Sequence, residues 1–174
     1  MAEPDPLAAD LLEGLADLPI DAVRARRGAC QLLETQLSYV RRLAQGRLDI
    51  VASETAARRA GTEHDQTLEQ RLTAALADRI TSPGNGHLPM GLEPGEIDPA
   101  LLAGLDRAAP PALVSSPSSM DDDQLRQVTD ALAGFERDIS ARRRAMFDRI
   151  DFLQAEIVRR YQSGEATVDS LLGQ

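Results

Sequence analysis

Apolar and polar positions recur along this chain with helical periods, and two stretches carry the pattern furthest. In the first, Cys30, Leu33, Leu37, Val40, Ala44, Leu48 and Val51 follow one another in steps of three and four. That spacing lays side chains along one seam of an α-helix. Leu32, Tyr39, Leu43 and Ile50 add a second stripe on the far side of the seam, so the apolar arc is too wide for one partner helix to cover. In the second stretch the seam is Leu125, Val128, Leu132, Phe135, Ile139, Met146, Ile150, Leu153, Ile157 and Tyr161, interrupted at Arg142.

These patterns predict a helix over 21–60, opened by Asp21 as cap and closed by Gly61, and a helix over 121–162 with Gly164 behind it. Gly28 and Gly46 lie inside the first helix; each costs about 1 kcal/mol relative to Ala, which a long packed helix can carry. Ser118 or Ser119, followed by Asp121, Asp122 and Asp123, reads as the start of the later helix. Between the two, Leu68, Leu72, Leu76 and Ile80 predict a shorter helix over 62–80. Residues 81–120 hold seven of the ten prolines and read as a loop, with one helical turn near Pro99 to Leu105. Residues 1–20 are an acidic, proline-flanked stretch expected to be a mobile arm with a short helix, and 163–174 a tail. The expected fold is all-α: a long antiparallel coiled-coil hairpin of the first and third helices, a shorter middle helix and a Pro/Gly-rich loop, in one domain over 21–174.

Beside the first seam runs a row of mixed polar residues: Glu34, Ser38, Arg41, Gln45 and Asp49. At about 100° per residue all five fall within an arc of about 80° and span about 22 Å of helix. The row is two acids, a hydroxyl, an amide and a guanidinium; a solvated face normally repeats charges and tolerates anything polar.

This row has a second copy later in the chain. With an offset of 102 positions, Glu34 falls on Glu136, Ser38 on Ser140, Arg41 on Arg143 and Asp49 on Asp151. Arg42, Arg47 and Glu54 fall on Arg144, Arg149 and Glu156, and the two seams coincide. Gln45 alone of the row is not kept; Phe147 takes its place. A fold requirement accounts for matched apolar positions, but not for matched Glu, Ser, Arg and Asp beside them. Two similar helices packed antiparallel would be related by a pseudo-twofold axis and would offer similar rows to a ligand with its own twofold symmetry. Carboxylates accept from the N1–H and N2–H₂ edge of guanine, and Arg donates in a fork to O6/N7 or to phosphate. A cyclic guanine dinucleotide has that symmetry and those groups.

Composition narrows the classes. The net charge is −9 over 174 residues and all 19 basic residues are Arg. An acidic chain is a poor general binder of nucleic acid and a plausible partner for a basic protein surface. Aromatics are 3% and Trp is absent, which argues against a large globular core. The single cysteine, Cys30, excludes an internal disulfide and lies in the apolar seam. The N-terminal stretch has no basic region of a secretion signal, and no apolar run is long enough for a membrane span, so a cytoplasmic protein is expected. His64 and His87 are isolated, the Asp121–Asp123 run reads as helix capping, and no nucleophile–base set is present; neither a metal site nor an enzyme is expected.

The spacing E-x3-S-x2-R-x3-Q-x3-D, the surrounding LSYVRRLAQGRLDI, the incomplete second copy and the ending RRYQSGEATVDSLL resemble the RsiG family of actinobacterial anti-sigma factors. The resemblance covers both long helices and the tail, and is thin in residues 1–20 and in the loop. It implies an antiparallel coiled coil that binds a dimer of cyclic di-GMP and, so loaded, sequesters a sigma factor of WhiG type, restraining late sporulation. It implies a monomer in a one-to-one sigma complex, without DNA or membrane contact of its own. Carried over by residue, one half-site is Glu34, Ser38, Arg41, Gln45 and Asp49; the other is Glu136, Ser140, Arg143 and Asp151. Two other readings stand beside this one: a structural coiled coil with no small ligand, and a cyclic-di-GMP effector whose partner is not a sigma factor.

Overall fold

A computed structural model describes residues 4–61 and 97–165. The expected helix over 62–80, His64 and His87, and the tail beyond residue 165 lie outside the described residues. Among those described, every regular element is helical. Helix α1 spans Ile20–Arg59, α2 Pro99–Ala108, α3 Pro111–Ser115 and α4 Asp122–Ser163, with 3₁₀ turns at Leu15–Asp17 and Pro117–Ser119. No described helix is long and apolar enough to cross a membrane.

The two long helices stop at glycines. Gly61 (φ 64°) and Gly164 (φ 77°) follow them in the left-handed region, where a Cβ is penalised and glycine is not. At the start of α4 the cap is Asp121 and not Ser118 or Ser119. Its carboxylate accepts from the Gln124 amide N–H at 2.7 Å while the Gln124 side chain accepts from the Asp121 N–H at 2.9 Å. This reciprocal arrangement satisfies two donors that a helix terminus leaves unpaired.

The chain divides into two compact units, Met1–Leu37 with Ala141–Gln174, and Ser38–Ser140. In the first, the early half of α1 packs against the late half of α4. Val23, Cys30 and Leu37 are buried with Met146, Leu153 and Ile157, and Leu11 and Leu15 close the core from residues 4–19. Arg24 donates to the Tyr161 hydroxyl and Arg143 to Glu34; residue numbers rise on one helix as they fall on the other, so the pairing is antiparallel. In the second unit, Val40, Ala44 and Val51 are buried with Leu125, Val128, Leu132 and Ile139. Contacts of Arg41 with Glu136 and of Arg58 with Asp122 have the same antiparallel sense. The helical hairpin expected from the seams is the observed fold.

The loop expected over 81–120 is, in its described part, largely helical. The single turn expected near Pro99 is a helix of ten residues. Asp98 caps it, accepting from the Ala100 N–H at 2.8 Å, and Leu101 and Leu105 are buried one turn apart. Pro99 and Pro111 each sit in a first helical turn, where the missing N–H has no helical partner to lose. Arg47 on α1 anchors α2: it donates to the Ala109 carbonyl at 2.6 Å and to Asp106 at 2.7 Å.

The two units are built on one plan. The 3₁₀ turn Pro117–Ser119 stands 102 positions after Leu15–Asp17, and α4 begins 102 positions after α1. Leu18 (φ −85°, ψ 143°) and Met120 (φ −80°, ψ 143°) leave those turns with the same backbone. Arg160 bonds Glu156 at 2.7 Å and the Leu18 carbonyl at 2.6 Å; Arg58 bonds Glu54 at 2.9 Å and the Met120 carbonyl at 2.6 Å. Arg24 pairs with Asp21, and Arg126 with Asp123. The offset seen in the sequence is therefore an offset of interactions as well.

Candidate functional site

The polar row lies beside the buried seam in both units because its positions are offset by one on each helical turn from residues that must be apolar. Val40 and Ala44 fill the core next to Arg41 and Gln45, and Met146 fills it next to Phe147. The row residues Glu34, Ser38, Arg41, Gln45, Asp49, Glu136, Ser140 and Arg143 are half-buried; Asp151 is exposed.

In the second unit the Glu136 carboxylate is a hub. One of its oxygens accepts from Ser140 Oγ at 3.0 Å, Gln45 Nε2 at 3.3 Å and Arg41 Nη1 at 3.5 Å. Three motif residues, two from the first copy and one from the second, thus converge on a fourth. Arg41 Nε is buried and, like Arg27 Nε, has no hydrogen-bond partner among the described residues. An unpaired buried donor is costly, so this guanidinium keeps an unused capacity to bind an acceptor. Ser38 and Asp49 stand half-buried on the same row.

In the first unit Arg143 Nε donates to Glu34 Oε1 at 3.1 Å. The offset that maps Glu34 onto Glu136 maps Arg143 back onto Arg41, so this contact and Arg41–Glu136 are one interaction formed twice. The two differ in support. The Arg143 guanidinium lies 5.1 Å over the centroid of the Phe147 ring, whereas in the second unit the equivalent residue, Gln45, bonds the acid instead.

The structure thus joins Glu34 with Arg143, and Arg41, Gln45 and Ser140 with Glu136. What the sequence reading passed over are the anchors Arg58 and Arg160. Glu54, fully buried, is one of their acid partners, and Arg160 is itself only 5% exposed. Their signal was present: extending the match of Glu54 with Glu156 by four residues pairs Arg58 with Arg160. Arg159 and Arg160 hold the Glu156 carboxyl well below its ordinary 4.5, at about 2, through the hydrogen bonds that they donate. No group of His, Cys, Asp and Glu among the described residues has the arrangement of a metal site.

The two long helices of the antiparallel hairpin carry related polar rows, alike but for Gln45 and Phe147. The model of the RsiG-like family matches residues 9–78 and 112–173, and the chain belongs to that family. It is accordingly an anti-sigma-factor type of regulator, with a sigma factor as its class of partner. No curated protein matches the chain.

Proposed function

We propose that this chain binds a dimer of cyclic di-GMP through Glu34, Ser38, Arg41, Gln45 and Asp49 together with Glu136, Ser140, Arg143 and Asp151. Loaded with it, the chain holds a sigma factor of WhiG type away from RNA polymerase in a one-to-one complex in the cytoplasm, restraining late sporulation. It acts by binding, not by catalysis.

The observation that carries this reading is the repeated Glu–Arg pair, Glu34 with Arg143 and Glu136 with Arg41. Each pair sets an acceptor carboxylate against a donor fork, at positions that the seam does not need. Guanine presents N–H donors to a carboxylate, and its O6/N7 edge and the phosphates present acceptors to a guanidinium. Such a ligand can replace each half of the pair with a group of the same kind, so the loss of one charge-assisted bond is offset by another. The unpartnered Arg41 Nε adds a donor not spent in the free protein.

Calorimetry with cyclic di-GMP tests the ligand, and capture of a WhiG-type sigma factor with and without it tests the partner. Arg41→Ala, Asp49→Ala and Arg143→Ala are expected to lose ligand binding with an unchanged helical circular-dichroism signal. Absence of heat and of labelled-ligand retention at tens of micromolar would leave a coiled coil without this ligand; ligand binding without sigma capture would leave an effector with another partner.

A further inference from the structure

The second unit serves as an internal comparison for the first. Apart from α2 and α3, which lie in the second unit, both have a 3₁₀ turn and halves of the two long helices, and both form the same Glu–Arg pair, yet the fifth position of the row is Gln45 in one and Phe147 in the other. The fold does not require a ring there, since the second unit is complete without one. Nor does the ring fill the core: Phe147 is 42% exposed, while its neighbour Met146 is buried. Exposure alone means little, because Phe152 is more exposed still. What sets Phe147 apart is the Arg143 guanidinium over its face at 5.1 Å.

The fifth position of the row contacts a different member of the pair in each unit. Gln45 donates to Glu136 at 3.3 Å and so fixes the carboxylate that Arg41 approaches. In the first unit the acid has Arg143 against it at 3.1 Å, and the ring fixes the arginine. The face of an aromatic ring is electron-rich and attracts a cation, with a preference for the flat guanidinium, which can stack. A guanidinium held by a carboxylate on one side and a ring on the other has lost most of its freedom before any ligand arrives. Pre-ordering of that kind lowers the entropy cost of binding.

We infer that Phe147 is a positioning residue: it holds the Arg143 guanidinium in the orientation in which it meets the ligand, doing from the arginine's side what Gln45 does from the acid's side in the other unit. The part of this inference that concerns ligand affinity rests on the cyclic di-GMP reading; the part that concerns Arg143 does not.

The test therefore has two readouts on the full chain. A ring beneath Arg143 shifts its Hδ and Hε resonances upfield, and ¹⁵N-edited NMR of the free protein reads that shift. It is expected in the wild type, lost in Phe147→Leu and kept in Phe147→Tyr. Calorimetry with cyclic di-GMP is expected to show about two- to fivefold weaker binding for Phe147→Leu, the affinity equivalent of an exposed cation–π contact, and wild-type binding for Phe147→Tyr. Phe147→Gln places an amide opposite Glu34 as Gln45 is placed opposite Glu136, and is expected to restore most of the affinity without restoring the ring shift. An Arg143 shift unmoved in Phe147→Leu, or a lost shift with wild-type affinity, overturns the inference and leaves the ligand reading intact. A wild type that binds no cyclic di-GMP overturns the ligand reading, and the NMR shift still decides whether the ring holds Arg143.

Discussion

Arg160 donates to the carbonyl oxygen of Leu18 at 2.6 Å, across 142 positions of sequence. The same guanidinium reaches the Leu15 carbonyl and the Glu156 carboxylate, so one side chain near the end of α4 fastens the turn that leads into α1. Lys offers a single charge centre on a flexible stem and cannot span three acceptors in a plane. Arg160→Lys and Arg160→Met are both expected to destabilise the protein by about 1–3 kcal/mol, the cost of leaving buried polar groups unpaired. Urea unfolding followed by circular dichroism measures it; a loss restricted to the Met variant would show that charge alone suffices.

The acid of this anchor makes stability depend on pH. Arg159 first and Arg160 second lower the Glu156 carboxyl to about 2 from an ordinary 4.5. Because the folded value is depressed, the stabilisation is fully present above pH 4.5 and is lost as pH falls through the window down to about 2. Urea midpoints measured across that window are expected to fall steeply in the wild type and less steeply in Glu156→Gln. Parallel curves would remove Glu156 from the account.

Glu34→Gln separates binding from folding. Its carboxylate pairs with Arg143 at the half-buried edge of the seam, where an ion pair contributes at most about 1 kcal/mol. The variant is expected to melt within a few degrees of the wild type and to bind cyclic di-GMP at least about tenfold more weakly, since a charge-assisted bond is worth about 1.5–3 kcal/mol. Thermal melts and calorimetry on one preparation check both halves of the statement.

Cys30 reports on the integrity of the first unit. It is fully buried, and burial raises its thiol pKa despite the opposing charge of Arg149. A thiol that is both inaccessible and protonated reacts slowly. An aromatic disulfide reagent is expected to leave the native chain untouched near neutral pH and to label it fully in denaturant; rapid native labelling would mean that the core around Val23 and Met146 opens readily.

The seams were legible because apolar periodicity reports burial: Cys30, Leu37, Val40, Ala44 and Val51, and Leu125, Val128, Leu132, Ile139, Met146, Leu153 and Ile157, are buried, while Leu33, Leu48, Phe135, Ile150 and Tyr161 of the same seams are half-buried. The repeated row was legible because mixed polar residues recurred where the fold demands nothing. The segment from Ile97 to Met120 misled, since prolines mark loops by count but helix starts by position, and Pro99 and Pro111 are starts. The anchors Arg58 and Arg160 were hidden for another reason. Their partners include backbone carbonyls of Ser118, Met120, Leu15 and Leu18, and every residue has a carbonyl, so composition cannot point to the four that matter.

Helix termini are ordinarily where hydrogen exchange begins, because the last turns lack partners and fray. Here the final turn of α1 is tied through Arg58 and that of α4 through Arg160. Those tethered turns are therefore expected to exchange their amide protons more slowly than frayed helix ends do, and hydrogen exchange of Arg58→Ala and Arg160→Met reads the difference.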